Sequence, residues 1–233
     1  MDFIPDNFIR AFAAAALIGY FLGSLNFAII TVRLLKGEDV RKSGSGNAGL
    51  TNTLRCYGKG CALLTLIGDL GKGVAAVLLS RLICRWLEAG LTPNNDTHYI
   101  GYIAGLFAII GHILPVYYGF KGGKGVLVGV SIFIVVNPLC FAVLIGIFAI
   151  VLAISKYVSL SSVISTAYCP LATLLMSWMV SGNGFGRSFL YMILSLPMAA
   201  IVIWMHRSNI ERLKSGTENK FSFNRIGISK GNQ

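Results

Sequence analysis

The chain is poor in charge, and poorest in acidic charge: 12% of its 233 residues are charged, with 9 Asp and Glu against 20 Lys and Arg. Soluble domains carry about a quarter charged residues, so this composition excludes an ordinary water-soluble fold and a disordered chain alike. The five cysteines, Cys56, Cys61, Cys84, Cys140 and Cys169, form no C-x-x-C pair and sit mostly in apolar runs. A disulfide framework and a zinc site are thereby excluded, and the cysteines read as small, reduced core residues. His98, His112 and His206 show no H-x-x-x-H spacing, and no G-x-S-x-G elbow is present, so neither a metal site nor a serine hydrolase is expected. Repeats, low-complexity tracts and a second domain are also lacking. The first residues are acidic where a secretory signal is basic, and the apolar run behind them, 9–35, is too long for a cleaved segment and is expected to remain as a membrane helix.

What is plentiful is apolar: 55% of residues are hydrophobic and the mean hydropathy is +0.72. The expected fold is an all-α integral membrane bundle forming a single domain over 1–233. A net charge of +11 is explained by loops retained in the cytoplasm, so no nucleic acid partner is expected and the lipid bilayer is the first one. Besides 9–35, the runs 61–84, 99–118, 163–180 and 189–205 match the roughly 20 residues that a span needs. The stretch 125–154 would make about 45 Å of helix, too long for one upright span. Asn137-Pro138 interrupts it, because proline removes a helix hydrogen bond and its predecessor resists the α conformation. Two short helices turning there give about seven spans. That count gathers 15 basic residues on one face and leaves Arg10, Arg81, Arg85 and Arg187 on the other, whereas six spans separate the basic groups. The predicted topology puts the N-terminus outside and the C-terminus in the cytoplasm. Cytoplasmic segments are then 36–60, 119–125, 155–162 and the tail 206–233, while 88–97 and 181–187 read as plain turns.

Polar residues concentrate in four places. In Arg41-Lys42-Ser43-Gly44-Ser45-Gly46-Asn47-Ala48-Gly49-Leu50-Thr51-Asn52-Thr53-Leu54-Arg55, closely spaced glycines let backbone N–H groups converge, and Arg55 is available as a bidentate clamp. Such a segment can hold a phosphate, although a flexible polar loop has the same composition. Gly44, Gly46 and Gly49 also satisfy G-x-G-x-x-G, but a membrane helix stands where a dinucleotide fold needs a strand. The second group runs from Gly111-His112 through Pro115 to Phe120-Lys121-Gly122-Gly123-Lys124-Gly125. It offers two lysines and glycine N–H groups at a helix start, where an anion is favoured, or it simply marks a membrane boundary. It is not a Walker loop, since Tyr118 stands where that motif needs glycine and Val126 where it needs Ser or Thr. Ser159, Ser161 and Ser162 follow Lys156 and Tyr157, with Ser159 placed to cap the next span. His206 and Asn209, three residues apart, share a face where the last span ends, and can bind a substrate or move a proton. Within the second span, Asp69 and Lys72 sit on one helical face and can neutralise each other.

The order of these motifs resembles one family, the bacterial PlsY-type acyl phosphate:glycerol-3-phosphate acyltransferases. Gly44-Ser45-Gly46-Asn47-Ala48-Gly49 with Thr51-Asn52 and Arg55 looks like its first motif, and Gly111-His112 through Gly125 like its second. Tyr157-Val158-Ser159-Leu160-Ser161-Ser162 resembles the third. His206-Arg207-Ser208-Asn209-Ile210 with Gly216-Thr217-Glu218 resembles the C-terminal segment, and Gly23-Ser24, Asp69 and Lys72 also fit. Leu50, Leu114 and Val40 depart from the family pattern by apolar exchanges only.

The resemblance implies transfer of a fatty acyl group from acyl phosphate to the 1-hydroxyl of glycerol 3-phosphate, giving lysophosphatidic acid and phosphate as the first step of phospholipid synthesis in a bacterial plasma membrane. It implies Ser45, Arg55, Lys124, His206 and Asn209 as catalytic residues. Gly44, Gly46, Asn47, Thr51, Asn52, Lys121, Gly122, Gly123, Ser159 and Ser162 would hold phosphate, and Asp69, Lys72 and His112 would support them. No cofactor and no metal are expected, and an enzyme that produces acyl phosphate is an implied partner. Thioester-dependent acyltransferases commonly carry His-x-x-x-x-Asp. Here the fifth residue beyond His98, His112 and His206 is Ile103, Tyr117 and Glu211. A five-residue step turns Glu211 about 140° from the His206 face, so it is expected to be a solvated charge. The alternative is a membrane transporter of a phosphorylated anion, with Asn137-Pro138 as its broken helix, but the glycine-rich motif has no repeat in the other half.

Overall fold

In a computed structural model describing residues 6–86 and 98–221, every long element is a helix. The acidic start at 1–5, the expected turn at 88–97 and the tail beyond 221 lie outside the described residues. The helices are α1 (Asp6–Gly23), α2 (Phe27–Lys36), α3 (Leu50–Trp86), α4 (His98–Ile113), α5 (Val126–Val136), α6 (Pro138–Ser155), α7 (Val158–Leu175, extended by a π turn Met176–Val180), α8 (Phe185–Met205) and α9 (Arg207–Lys214). Among the described residues six segments are long and apolar enough to cross a membrane: Ile9–Lys36, Leu50–Trp86, His98–Tyr118, Pro138–Ser155, Val158–Val180 and Phe185–Met205. The expected seventh, α5, has 11 residues and so about 16 Å of length, roughly half a bilayer core.

The break at Asn137 is present and has the expected cause. Pro138 occupies the first turn of α6, and Asn137 caps it by accepting from the Cys140 N–H at 3.0 Å. The run 9–35, in contrast, is two helices. Ser24 Oγ turns back to donate to Tyr20 O at 2.8 Å, and Asn26 Oδ1 caps α2 by accepting from Ile29 N at 3.1 Å. Hydropathy cannot register this break, because the polar groups that make it are satisfied locally. The second span also starts earlier than the apolar run: α3 begins at Leu50 and bends at Gly58, whose φ of 81° only glycine adopts freely. Thr51 through Arg55 are therefore helical instead of looped.

Helix α4 is the centre of the bundle, with Ile100, Tyr102, Ala104, Ala108 and Ile109 all but inaccessible. It packs most extensively on α1, where Gly19 and Gly23 lie against the carbonyls of Ala104 and Ala108; a Cβ at either would collide with backbone. Helix α7 packs between α6 and α8, and α3 against α1, α2, α4 and α5. The cysteines are all free and, apart from the half-buried Cys56, buried. The start of α5, the α6–α7 junction and the end of α8 meet at one end of the bundle, where Lys124 bonds Asn209, Phe221 N donates to Lys156 O at 2.7 Å and Ser159 bonds Glu218. Segment 125–155 thus leaves from and returns to the same end, the arrangement that the charge count requires.

Candidate active site

A cavity of about 910 Å³ opens at this end. All five residues expected to be catalytic line it: Ser45, Arg55, Lys124, His206 and Asn209. So do Gly46, Asn47, Thr51, Asn52, Gly122, Ser159, Ser162, Asp69 and His112. Gly44, Lys121, Gly123 and Lys72 do not line it, although each touches a residue that does or stabilises the loops beside it. The walls become apolar with depth, through Phe133 on α5, Leu144 and Phe148 on α6 and Met198 on α8. Phe133 and Met198 each lie eight residues along their helices from Gly125 and His206, or about 12 Å.

The first motif is organised by Asn52. Buried at 2% exposure, it donates to Val40 O at 3.2 Å and Ser43 O at 2.9 Å and accepts from Ser45 N at 3.0 Å. Its amide is thus engaged in shaping the loop where it borders the cavity. Gly44, at φ 59°, leaves the space that Asn52 Oδ1 and Cys56 Sγ occupy. Gly46 N is also engaged, with Ser43 O at 3.1 Å, so this loop offers fewer free N–H groups than its glycines suggest. Arg55, one helical turn further, is exposed and makes no hydrogen bond or ion pair among the described residues. Its guanidinium is free for an anion.

The second motif is organised in the same way. Gly122 N donates to Ile113 O at 3.0 Å and Gly123 N to His112 O at 3.1 Å, so these glycines stitch the loop to the end of α4. A Cβ at Gly122 would strike His112 O, and one at Gly123 would strike His112 Nε2 and Ala48 O, which is why glycine stands at both. Lys121 is exposed, and only its carbonyl is used, by Arg41 Nη1 at 3.1 Å. Lys124 points inward, donating to Asn209 Oδ1. Burial, with Arg212 adding to it and Glu218 opposing, lowers its pKa to about 8.

His206 donates from Nδ1 to Val202 O at 2.7 Å, which leaves Nε2 as the acceptor of a neutral ring. Burial lowers its pKa to about 4 despite that bond. Asn209 spends its Nδ2 on Glu218 Oε1 at 2.8 Å. The same oxygen accepts from Ser159 Oγ at 3.0 Å, and Glu218 Oε2 from Arg212 Nε at 2.7 Å. Burial opposes ionisation of Glu218, but these bonds outweigh it and lower its pKa. Ser159 is therefore not the expected helix cap: Tyr157 holds that position with no side-chain bond. Ser162 Oγ donates to Val158 O at 2.9 Å while facing the cavity. Glu211 is exposed, as its helical phase predicted.

Reading motifs missed Arg41, Arg212 and the role of Glu218. Arg41 Nη1 bonds Tyr118 O at 2.7 Å, its other nitrogens grip Asp39, and so it ties the first motif loop to the second. The Arg41 side chain in turn holds the Asp39 carboxyl well below the usual range, against a smaller opposing effect of burial. The signal for Arg41 was its place in the densest polar run. Arg212 enters the sequence reading only as a tail charge, and Glu218 only as part of Gly216-Thr217-Glu218, with no role attached.

A helical membrane bundle whose one polar mouth gathers four distant motifs above an apolar chamber defines a class of integral membrane protein. Residues 13–216 match the glycerol-3-phosphate acyltransferase family. A glycerol-3-phosphate acyltransferase of Halalkalibacterium halodurans is 43% identical over 202 residues, covering 86% of this chain and 91% of its own, and one of Clostridioides difficile is 38% identical over 212 residues, covering 91% and 96%. The crystal structure of PlsY, an integral membrane glycerol 3-phosphate acyltransferase, in its glycerol 3-phosphate form superposes with a TM-score of 0.74 at 29% identity, covering 91% of this chain and 96% of that one. Its lysophosphatidic acid form gives 0.72 at 27% identity, covering 92% and 97%. The chain belongs to the glycerol-3-phosphate acyltransferase family.

Proposed function

We propose that this membrane acyltransferase moves a fatty acyl group from acyl phosphate to the 1-hydroxyl of glycerol 3-phosphate, releasing lysophosphatidic acid and inorganic phosphate into and beside a bacterial plasma membrane, with its site on the cytoplasmic face. The observation that carries the reading is the single cavity that joins cationic Arg55 and Lys124 at its mouth to apolar walls below. Two phosphorylated substrates, one with a lipid tail, need that combination. The family match favours acyl transfer over the transport of a phosphorylated anion.

Acyl phosphate is a mixed anhydride with a good leaving group, so positioning and charge stabilisation supply most of what the reaction needs. Arg55 and Lys124 bind phosphate oxygens, Ser45 adds a hydroxyl contact, and Asn209 orients Lys124. His206 Nε2 accepts a hydrogen bond from the attacking hydroxyl. With a pKa near 4 it is a weak base, which supports an orienting role, the proton passing to a phosphate oxygen as the carbonyl carbon–oxygen bond to phosphate breaks. The new ester bond forms in the same sequence, and no covalent enzyme intermediate is required. Incubating purified protein with both substrates tests the reading. Lysophosphatidic acid and phosphate should form one for one, and failure to form either would refute it.

A further inference from the structure

Beneath the motif loops lies a buried charge cluster that takes no direct part in the proposed chemistry. Lys72 Nζ, with 1% of its side chain exposed, donates to Asp69 Oδ1 at 2.7 Å, to Leu25 O at 2.7 Å and to His112 Nδ1 at 2.8 Å. Those three bonds use all three ammonium protons. Asp69 also accepts from Phe27 N at 3.4 Å, and it too has 1% of its side chain exposed. A buried ion pair gains nothing over apolar packing unless its geometry is well satisfied, so a fully bonded one at this depth calls for a purpose. Because an ammonium can only donate, His112 Nδ1 must accept, and the ring proton sits on Nε2.

His112 Nε2 and Ala48 O flank the Cα of Gly123 so closely that a Cβ there would strike both. The His112 backbone carbonyl meanwhile accepts from Gly123 N at 3.1 Å, and Asn26 Nδ2 donates to Ala48 O at 3.2 Å. The cluster therefore touches two segments directly, Leu25 and Phe27 at the α1–α2 junction and Gly123 of the second motif, and Gly123 in turn lies against Ala48 O of the first. Lys124 is the next residue.

We propose that Asp69, Lys72 and His112 form a positioning relay in which Lys72 fixes the His112 tautomer, and His112 Nε2–H sets the Gly123 backbone and thereby aims Lys124 into the cavity. The inference rests on the role of Lys124 in the proposed function. It differs from a packing role because it requires the distal ring nitrogen and because it acts through one named side chain.

A double-mutant cycle tests it, with turnover normalised to folded protein and read with whichever acyl donor the wild-type protein uses, so that a wrong donor and a wrong relay are told apart. His112→Asn keeps an acceptor near Nδ1 but does not reach Nε2, whereas His112→Gln reaches Nε2. The Asn variant should lose about tenfold in kcat while Gln retains more, and in the Lys124→Ala background His112→Asn should change turnover less than about twofold. Lys124→Arg serves as a second background, and melting temperatures in detergent accompany every variant. Asp69→Asn is expected to follow the same coupling. Equal factors in both backgrounds, or an Asn variant as active as the Gln variant, would overturn the relay and leave the cluster a structural ion pair.

Discussion

Lys124 on the loop before α5 donates a hydrogen bond to Asn209 on α9, 85 residues later in the chain. Asn209 passes the constraint on through Nδ2 to Glu218, which also holds Ser159 and Arg212. Three separate stretches of sequence, around Lys124, around Ser159 and from Asn209 to Glu218, thus share one hydrogen-bonded group at the cavity mouth, and its central cation, Lys124, is desolvated.

Arg55→Ala and Lys124→Ala should extract as folded protein and turn over poorly. Among the described residues the Arg55 side chain makes no hydrogen bond or ion pair, and the Lys124 side chain makes one hydrogen bond. Each charge-assisted hydrogen bond lost to substrate costs about 1.5 to 3 kcal/mol of transition-state stabilisation, a fall of more than tenfold in kcat/KM. Wild-type kinetics in either variant contradict the assignment.

The rate should fall as pH rises through about 8, where Lys124 loses its proton, because the charged form lies below that pKa and only it pairs with phosphate. Lys124→Arg keeps its charge throughout this range. A pH–kcat/KM profile of both proteins should therefore show an alkaline limb near 8 in the wild type that is flattened in the arginine variant. Superimposable limbs count against Lys124 as the titrating group.

Glu218→Ala should lower kcat and also the melting temperature. It strips the partner from Arg212, Asn209 and Ser159, and charge-assisted bonds of this kind contribute about 1.5 to 3 kcal/mol each. Scanning calorimetry or a thermal shift in detergent beside a turnover assay gives both readings. An unaffected melting temperature would show that the tail is held by other contacts.

Polar segments are conspicuous in an apolar chain, and resemblance to the family singled out Ser45, Arg55, Lys124, His206 and Asn209 within them; all five line one cavity. The split at Asn137-Pro138 was legible because proline has a local steric effect. What stayed hidden depends on partners far away in sequence. The N–H groups of Gly122 and Gly123 looked free, yet the end of α4 takes them. The bonds by which Asn52 braces the first loop are equally hidden, while Ser159 looked like a cap and serves Glu218. The break at Ser24–Asn26 is hidden within a continuous apolar run.

Single cysteines introduced into a background lacking the native five should report the topology. Positions 42, 121 and 214 should react from the cytoplasmic side and position 182 from outside, as the basic bias and the shared end of α5, α7 and α9 require. Opposite labelling of 121 and 214 would contradict the return of segment 125–155 to the face it left.

The central claim is that cationic side chains in one cavity use acyl phosphate directly, with neither a thioester donor nor a metal. Under that claim the charge on phosphate is met by Arg55 and Lys124, which both line the cavity. The most direct measurement supplies purified protein with glycerol 3-phosphate in excess EDTA and offers acyl phosphate, acyl-CoA and acyl carrier protein thioester in turn. Lysophosphatidic acid from acyl phosphate alone, at a rate unchanged by chelator, is the predicted result. Preference for a thioester, or loss of activity in EDTA, would contradict it.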